Sequence, residues 1–226
     1  MSSSTSGKLR RDARRNLESL LIAADELFTS RGLGVTLEEV AAAAGVGVGT
    51  IYRRFADKDA LIQAVFERKV DELAALLKEC SQLPTAWEGL CCFLRCNLEH
   101  LAGDRGLQEF MLDVDLARIG DRTGTYQQLD PLMAEMISIA VADGALRDDF
   151  TVTDISMIVM MVTQMAHSHP TLGAKFARRY LELLLKGLAA SGDPCPVPPP
   201  ADENDYRSWL ASVSISPSRT QHGGTH

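Results

Sequence analysis

The chain has 226 residues, enough for one large domain or for a small domain with a larger one, and 46% of them are hydrophobic, so a sizeable core can be buried. No apolar run approaches the roughly 18 residues of a membrane helix, and the polar, basic N-terminus has no signal-peptide pattern, so we expect a cytoplasmic protein with no membrane partner. The net charge of -7 argues against uniform attraction to nucleic acid.

The charge is unevenly distributed along the chain. Residues 1–58 contain nine Lys or Arg and seven Asp or Glu, a net charge of +2, whereas the remainder carries -9. Because phosphates would repel the acidic remainder, this asymmetry favours a protein that approaches nucleic acid with its N-terminal end only.

The N-terminal third predicts short helices separated by glycines. Residues 1–9 are Ser-rich and predict a disordered arm. Apolar residues recur at helical spacing over 12–31, and Gly32 ends that helix. Thr36, followed three residues later by Glu39, has the pattern of a capping box and opens a second helix.

That second helix spans 37–44 and is rich in alanine. Gly45 stops it, and residues 47–55 predict a third helix. Asp57 can cap a longer fourth helix, whose apolar stripe runs to Leu77. The close succession of two short helices across a glycine turn is the arrangement of a helix-turn-helix, whose second helix enters the major groove of DNA.

The rest of the chain predicts helices and then a tail. The expected spans are 85–102, 105–119, 125–143, 153–168 and 172–190, with Thr151 or Thr153 as the cap of the fourth span. No period-2 alternation is long enough for a strand. Six of the nine prolines lie between residues 194 and 217, so residues 193–226 predict a disordered tail, extended where it is Pro-rich.

The N-terminal segment resembles the DNA-binding domain of the tetracycline-repressor (TetR) family. The matching features, which follow one another in the family's order and spacing over about residues 13–66, are Phe28 and Gly32, Thr36, Ala44-Gly45-Val46, Tyr52-Arg53-Arg54-Phe55, and Lys58 with Leu61. The resemblance implies an all-α protein with a three-helix helix-turn-helix domain at 10–57 and a larger helical bundle for effector binding and dimerisation at 58–192. It implies a homodimer on a palindromic double-stranded DNA operator.

The resemblance also assigns roles within this segment. Thr36 caps its helix and can meet a phosphate, and the start of the third helix lies nearest the base edges. Many members carry a polar pair where this chain has Gly47 and Val48, so base recognition should rest on Thr50 with Arg53 or Arg54. The full set of expected DNA-binding residues is Thr36, Gly47, Val48, Gly49, Thr50, Tyr52, Arg53, Arg54 and Lys58, with an arm of Arg10, Arg11, Arg14 and Arg15. That arm could equally be a solvated, disordered run.

The larger part predicts a pocket for an unidentified effector and a dimer interface. Apolar and polar candidates for the pocket are Phe93, Asn97, His100, Phe110, Met111, Met133, Ile137, Met160, Gln164 and His167, and plain core packing explains each of them as well. Candidates for the interface, on the last two helices, are Ile158, Met161, Met165, Phe176, Tyr180 and Leu184, which could also be core. The expected mechanism is a population shift, in which the effector releases a repressor from its operator.

Alternative functions remain at this point. A DNA-binding protein without a sensor is one alternative, and an enzyme that uses the helical body is another. The sequence shows no catalytic constellation, cofactor motif or metal-ligand spacing, so we expect no enzyme, cofactor or metal. The five cysteines are Cys80, Cys91, Cys92, Cys96 and Cys195. They read as small hydrophobes, although the one-turn spacing of Cys92 and Cys96 leaves a redox or metal role open.

Overall fold

The computed structural model describes residues 3–112, 129–169 and 171–190. These residues form nine helices, and the all-α fold predicted from the sequence is confirmed. In chain order the helices are α1 (Ser3–Arg31), α2 (Leu37–Ala43), α3 (Val48–Arg54), α4 (Lys58–Cys80), α5 (Ala86–Ala102), α6 (Arg105–Leu112), α7 (Asp130–Ala142), α8 (Val152–His167) and α9 (Gly173–Leu188). Among them, none combines the length and the apolar character that crossing a bilayer requires.

The structure corrects one predicted boundary. Helix α1 begins at Ser3, so the described part of segment 1–9 is helical rather than disordered. The segment between Ser3 and Arg31 contains no proline and a single glycine, Gly7, whose cost of about 1 kcal/mol in a helix does not stop the helix. Other predictions fall on residues 113–128 and 191–226, which lie outside the described residues. These are the end of helix 105–119, the start of helix 125–143 and the Pro-rich tail.

Local hydrogen bonds explain why the helices begin where the sequence predicts. The Oε2 atom of Glu39 accepts from the Thr36 N–H at 2.8 Å, and Thr36 Oγ1 accepts from the Glu39 N–H at 3.3 Å, so the predicted capping box is confirmed. Asp57 Oδ1 accepts from the Ala60 N–H at 2.8 Å at the start of α4. These bonds satisfy amide groups that the first turn of a helix leaves unpaired.

Helices α1 to α4 enclose a small apolar core. Val40 and Ile51 are fully buried, and Phe28 and Phe55 are almost so. Gly45 adopts a positive φ of 66°, which lets the chain turn sharply between α2 and α3. The Val46 N–H then donates to the Ala41 carbonyl at 3.0 Å. The α2–α3 unit is therefore held in one orientation by side chains from both helices.

This core continues without a break into the helical body. A single cluster of buried residues runs from Leu20 in α1 to Leu185 in α9. Helix α6 makes the closest contact with the N-terminal helices. A Cβ at Gly106 would lie 2.8 Å from Phe28 Cβ, so α6 can approach α1 this closely only with glycine there. One helical turn later, Phe110 stacks on Phe66 of α4.

Polar contacts reinforce the joint between α6 and the N-terminal helices. Glu109 Oε2 accepts from the Leu33 N–H at 2.6 Å, in the turn that follows α1. The Lys69 ammonium of α4 is paired with Asp25 of α1 and donates to Asp104 Oδ2 at 2.6 Å. Asp104 Oδ1 also accepts from the Leu107 N–H at 2.9 Å and so caps α6. We call Asp25, Lys69 and Asp104 the charged triad.

Two bidentate ion pairs connect α9 to α5. Arg95 Nε donates to Glu182 Oε1 at 2.6 Å, and Arg178 Nη2 donates to Glu99 Oε2 at 2.6 Å. These contacts lower the pKa of both carboxyl groups below the ordinary value of 4.5. All four side chains are about half exposed, so the pairs align the two helices more than they stabilise the fold.

Candidate functional site

An exposed surface extends over the start of α2, the whole of α3 and the start of α4. We call it the α3 face. Of the residues predicted there, Thr36, Gly47, Val48, Gly49, Tyr52, Arg53 and Arg54 are exposed, and Thr50 and Lys58 are half-buried. The structure thus brings all nine of these predicted residues to one end of the molecule.

Helix α3 buries one side in the core and exposes the other. Ile51 is fully buried and Phe55 is 6% exposed, whereas Val48 and Tyr52 are 46% and 50% exposed. Gly47 stands at the N-cap without a side-chain hydrogen bond, as its lack of a side chain predicts. The first turn of α3 therefore presents small side chains that allow a close approach by another surface.

Three cations of the α3 face form no ion pair with the acidic residues that the structure describes. Within the described part of the chain, Arg53, Arg54 and Lys58 form none of the ion pairs, whereas Arg31, Arg68 and Arg95 are each paired with glutamates. Guanidinium and ammonium groups that are not held in an ion pair are suited to phosphate oxygens.

One acidic residue on the α3 face was missed from the sequence. The Tyr52 hydroxyl donates to Glu38 Oε1 at 2.5 Å, from α3 to the first turn of α2. This hydrogen bond lowers the pKa of Glu38 and raises the pKa of Tyr52. The two residues are 14 positions apart, so no local pattern pairs them. Glu38 orients the phenol and places a negative charge beside it.

The predicted arginine arm belongs to α1. Arg10 and Arg11 lie within the helix, as do Arg14 and Arg15, whose side chains are exposed. The backbone at these four positions is helical, and their contact with DNA stays a prediction.

The predicted pocket residues divide by burial. Phe93, Phe110, Met133 and Ile137 are buried, and Asn97 is 5% exposed although it is polar. Met160 and His167 are half-buried, and Met111 belongs to α6. His100 and Gln164 are exposed, so the structure does not bring them into the interior with the others. Both stand on helices whose inner face is taken by apolar side chains.

Helix α8 contains two buried polar atoms that find no hydrogen-bond partner among the residues that the structure describes. They are Thr163 Oγ1 and His167 Nε2, one helical turn apart. The other ring nitrogen, His167 Nδ1, lies 3.0 Å from the Thr163 carbonyl oxygen. Thr163 is only 3% exposed and was missed from the sequence, because a threonine within an apolar helix gives no signal of an unpaired hydroxyl. Buried polar atoms without partners are rare in folded proteins.

An exposed apolar surface lies on α8 and α9. Met161, Phe176 and Tyr180 are between 46% and 49% exposed, and Met165 and Leu184 are half-buried. Leu172 and Leu183, at 43% and 47%, extend the same stripe of α9. Ile158 corrects the prediction, because it is 5% exposed and packs in the core of the body. We call the exposed set the α8–α9 surface.

Two sequence families match the chain in turn. Residues 20–65 match the family described as bacterial regulatory proteins, tetR family. Residues 85–190 match the C-terminal domain of SbtR-like transcriptional regulators. The chain belongs to the TetR family. One relative is an HTH-type transcriptional regulator of Staphylococcus aureus (strain MRSA252), 32% identical over 83 residues. That match covers 35% of this chain and 43% of the relative, so the chain spans less than half the length of this curated protein.

Solved TetR-family structures match most of the chain. A TetR regulator of Streptomyces coelicolor is 26% identical, with a TM-score of 0.57 over 77% of this chain and 98% of that one. One of Mycobacterium vanbaalenii is 28% identical, with a TM-score of 0.59 over 80% and 99%. FadR of Bacillus subtilis, solved in complex with stearoyl-CoA, is 19% identical with a TM-score of 0.61 over 76% and 99%, which shows a shared fold.

Proposed function

We propose that this TetR-family chain is a cytoplasmic homodimeric repressor that binds a palindromic DNA operator and releases it when a small effector binds in the helical body. The observation that carries DNA binding is the α3 face, where Arg53, Arg54 and Lys58 form none of the ion pairs of the described residues and helix α3 begins with small residues. Its helix-turn-helix core fixes this face, and the tetR-family match covers the same segment.

In this proposal the residues of the α3 face divide into two groups. Thr50, Arg53 and Arg54 lie on the recognition helix and read base edges in the major groove, where an arginine can donate two bonds to a guanine. Val48 offers an apolar contact to a thymine methyl. Tyr52, Lys58 and Thr36 contact phosphates, which positions the helix without reading sequence.

The experiment that tests DNA binding is a selection of bound duplexes from a random pool, followed by titrations on the selected operator and a scrambled duplex. Arg53→Ala or Arg54→Ala should cost affinity on the operator more than on the scrambled duplex, by roughly tenfold or more for a lost bidentate contact. Lys58→Ala should weaken both equally. Lys78→Ala, at an exposed lysine near the end of α4, is the control and should change neither. The absence of salt-sensitive binding to any duplex would refute the proposal.

Dimerisation is supported by the α8–α9 surface, since exposed apolar patches of this kind mark interaction surfaces. In a twofold dimer the same face of both copies forms the interface. The two recognition helices then meet two DNA half-sites about 34–36 Å apart. Phe176→Glu should convert the dimer into monomers in sedimentation measurements. Leu83→Glu, at an isolated exposed leucine beyond α4, is the control and should leave the dimer intact. A Phe176→Glu protein that remains dimeric would exclude this interface.

Effector binding is supported by polar groups within the apolar body. The Thr163 hydroxyl and the His167 Nε2 atom are buried without partners on α8, and Asn97 is buried on α5. A ligand with hydrogen-bonding groups and an apolar surface could satisfy them. FadR, which shares the fold, is solved with stearoyl-CoA, but at 19% identity this does not identify the effector of our chain.

Helix α6 is the element through which an effector would reach the α3 face. It packs on α1 through Gly106, and Glu109 holds the turn that leads into α2. The charged triad anchors its first turn to α1 and α4. A ligand that favours one position of α6 would therefore favour one position of the recognition helix.

Coupling of this kind is reciprocal, so the operator must change effector affinity by the same factor as the effector changes operator affinity. Screening compounds by thermal shift and titrating each hit with and without operator tests this. A tight-binding effector that leaves operator affinity unchanged would refute release and support a DNA-binding protein without a sensor.

A further inference from the structure

Three cysteine thiols meet where α4 packs on α5. Cys80 is the last residue of α4 and is buried, and Cys92 and Cys96 are half-buried, one turn apart on α5. The sulfur atoms of Cys92 and Cys96 are 4.0 Å apart. Cys80 is close enough to both that they contribute to its pKa. No disulfide joins these thiols, which are free together with Cys91.

The surroundings of Cys80 and Cys96 favour the protonated thiol. Burial, with a contribution from Cys92, raises the pKa of Cys80 to about 12, and the same two causes raise the pKa of Cys96. Thiols held in the protonated form react slowly with peroxides and alkylating agents, because the thiolate is the nucleophile in those reactions. Condensation of two thiols with a hydroxide or oxide is a different reaction, in which the thiol protons leave with the oxygen as water.

We propose that Cys92 and Cys96 form a dithiol site for trivalent arsenicals. An arsenic(III) oxide or hydroxide condenses with two thiols: two As–S bonds form, two S–H bonds and the bonds from arsenic to its leaving oxygen break, and the protons leave with that oxygen as water. Arsenic stays trivalent, so the step needs neither an oxidant nor a reductant.

The distance between the two sulfurs favours a bridging atom. Bonds to sulfur of about 2.3 Å, the length known for zinc thiolates, span at most about 4.6 Å between two sulfurs. The observed 4.0 Å lies inside this limit. A disulfide would instead require the sulfurs to approach to about 2.05 Å. Within the described residues no group of three or more His, Cys, Asp or Glu side chains is arranged to hold a metal ion, so the proposal rests on the pair alone.

The experiment uses the full-length chain, kept reduced with a phosphine, and phenylarsine oxide as the probe. Intact-protein mass spectrometry should show one bridging phenylarsenic group per chain, removed by an added dithiol and retained against a monothiol. Alkylation after unfolding, followed by peptide mapping, should find Cys92 and Cys96 protected together. Arsenite on the same samples tests the inorganic form.

Matched serine variants locate the site. Cys92→Ser and Cys96→Ser should each raise the concentration for half-saturation at least tenfold. Cys91→Ser, which changes the neighbouring thiol about 100° around the helix, should leave it unchanged, and so should Cys80→Ser. Peptide mapping of the wild-type protein needs no variant and keeps the test decisive if a variant fails to fold. No bridged species, protection of a different pair, or equal binding by Cys92→Ser and the wild type would each overturn the proposal.

Discussion

Replacing Lys69 by methionine should destabilise the joint between α6 and the N-terminal helices. The side chain of Lys69 is 19% exposed, that of Asp104 is 7% exposed and that of Asp25 is 32% exposed. Burial lowers the pKa of Lys69, but the hydrogen bonds that its ammonium donates to both carboxylates raise it by more, so the ammonium is charged in the fold. Methionine keeps the apolar stem of the side chain and removes the ammonium, leaving two acidic groups close together.

The magnitude follows from the burial of Asp104. Removing one partner of a buried ion pair costs about 3–5 kcal/mol, and we expect the lower end, about 3 kcal/mol, because Asp25 keeps contact with water. For a chain of this size, 1 kcal/mol shifts Tm by about 2–4 °C, so Lys69→Met should lower Tm by about 6–12 °C. Differential scanning calorimetry at neutral pH measures this directly.

Two control variants test whether the loss of stability comes from the buried charge of Lys69 or from any substitution in this part of α4. Arg68→Met removes the neighbouring cation of α4, whose pairs with Glu18 and Glu72 are exposed, and should cost less than about 1 kcal/mol per pair. The double variant Lys69→Met with Asp104→Asn should recover part of the loss, because it removes the unpaired charge while an amide oxygen can still cap α6. Equal shifts for Lys69→Met and Arg68→Met, or no recovery in the double variant, would refute this reasoning.

Three further outcomes are expected. Glu38→Gln should strengthen binding to every duplex a few-fold, because it removes a negative charge beside Tyr52 on the face that meets phosphate. Fluorescence anisotropy measures this affinity, and weaker binding would mean that orienting the phenol matters more. Thr163→Val should leave Tm unchanged or raise it, since a methyl of equal size replaces a hydroxyl that has no partner among the described residues. A clear fall in Tm would reveal a partner for that hydroxyl. The Arg95 pair lowers the pKa of Glu182, so its stabilisation is complete above pH 4.5 and is lost as the pH falls through the lowered pKa. Glu182→Gln should accordingly flatten the acid limb of a plot of Tm against pH, and an unchanged limb would contradict this assignment.

Local patterns explain which parts of the fold could be predicted. The capping box of Thr36 and Glu39 and the cap of Asp57 depend on residues three positions apart, so the sequence contains the whole interaction. The partners of Lys69 are 44 and 35 positions away in the chain, and only the packed helices bring them together. The same holds for Tyr52 and Glu38.

The buried and the exposed apolar faces of α8 and α9 were harder to tell apart from the sequence. Helix α8 has apolar residues on most of its circumference, so spacing alone cannot decide that Ile158 points inward while Met161 points outward. On α9 the buried stripe, which includes Ala177 and Leu181, runs beside the exposed stripe of Phe176 and Tyr180. Burial separates the two stripes, and it depends on what packs against each side.

The fit between α6 and the end of α1 limits how regulators of this architecture can be recombined. A chimaera that joined residues 1–57 to the body of another regulator would place Phe28 and Leu33 against a foreign sixth helix. Unless that helix carried glycine at the position of Gly106 and a carboxylate at that of Glu109, the graft would meet a steric clash and an unpaired amide at its seam. Exchange of DNA specificity between such proteins therefore has to preserve this contact as well as the recognition helix.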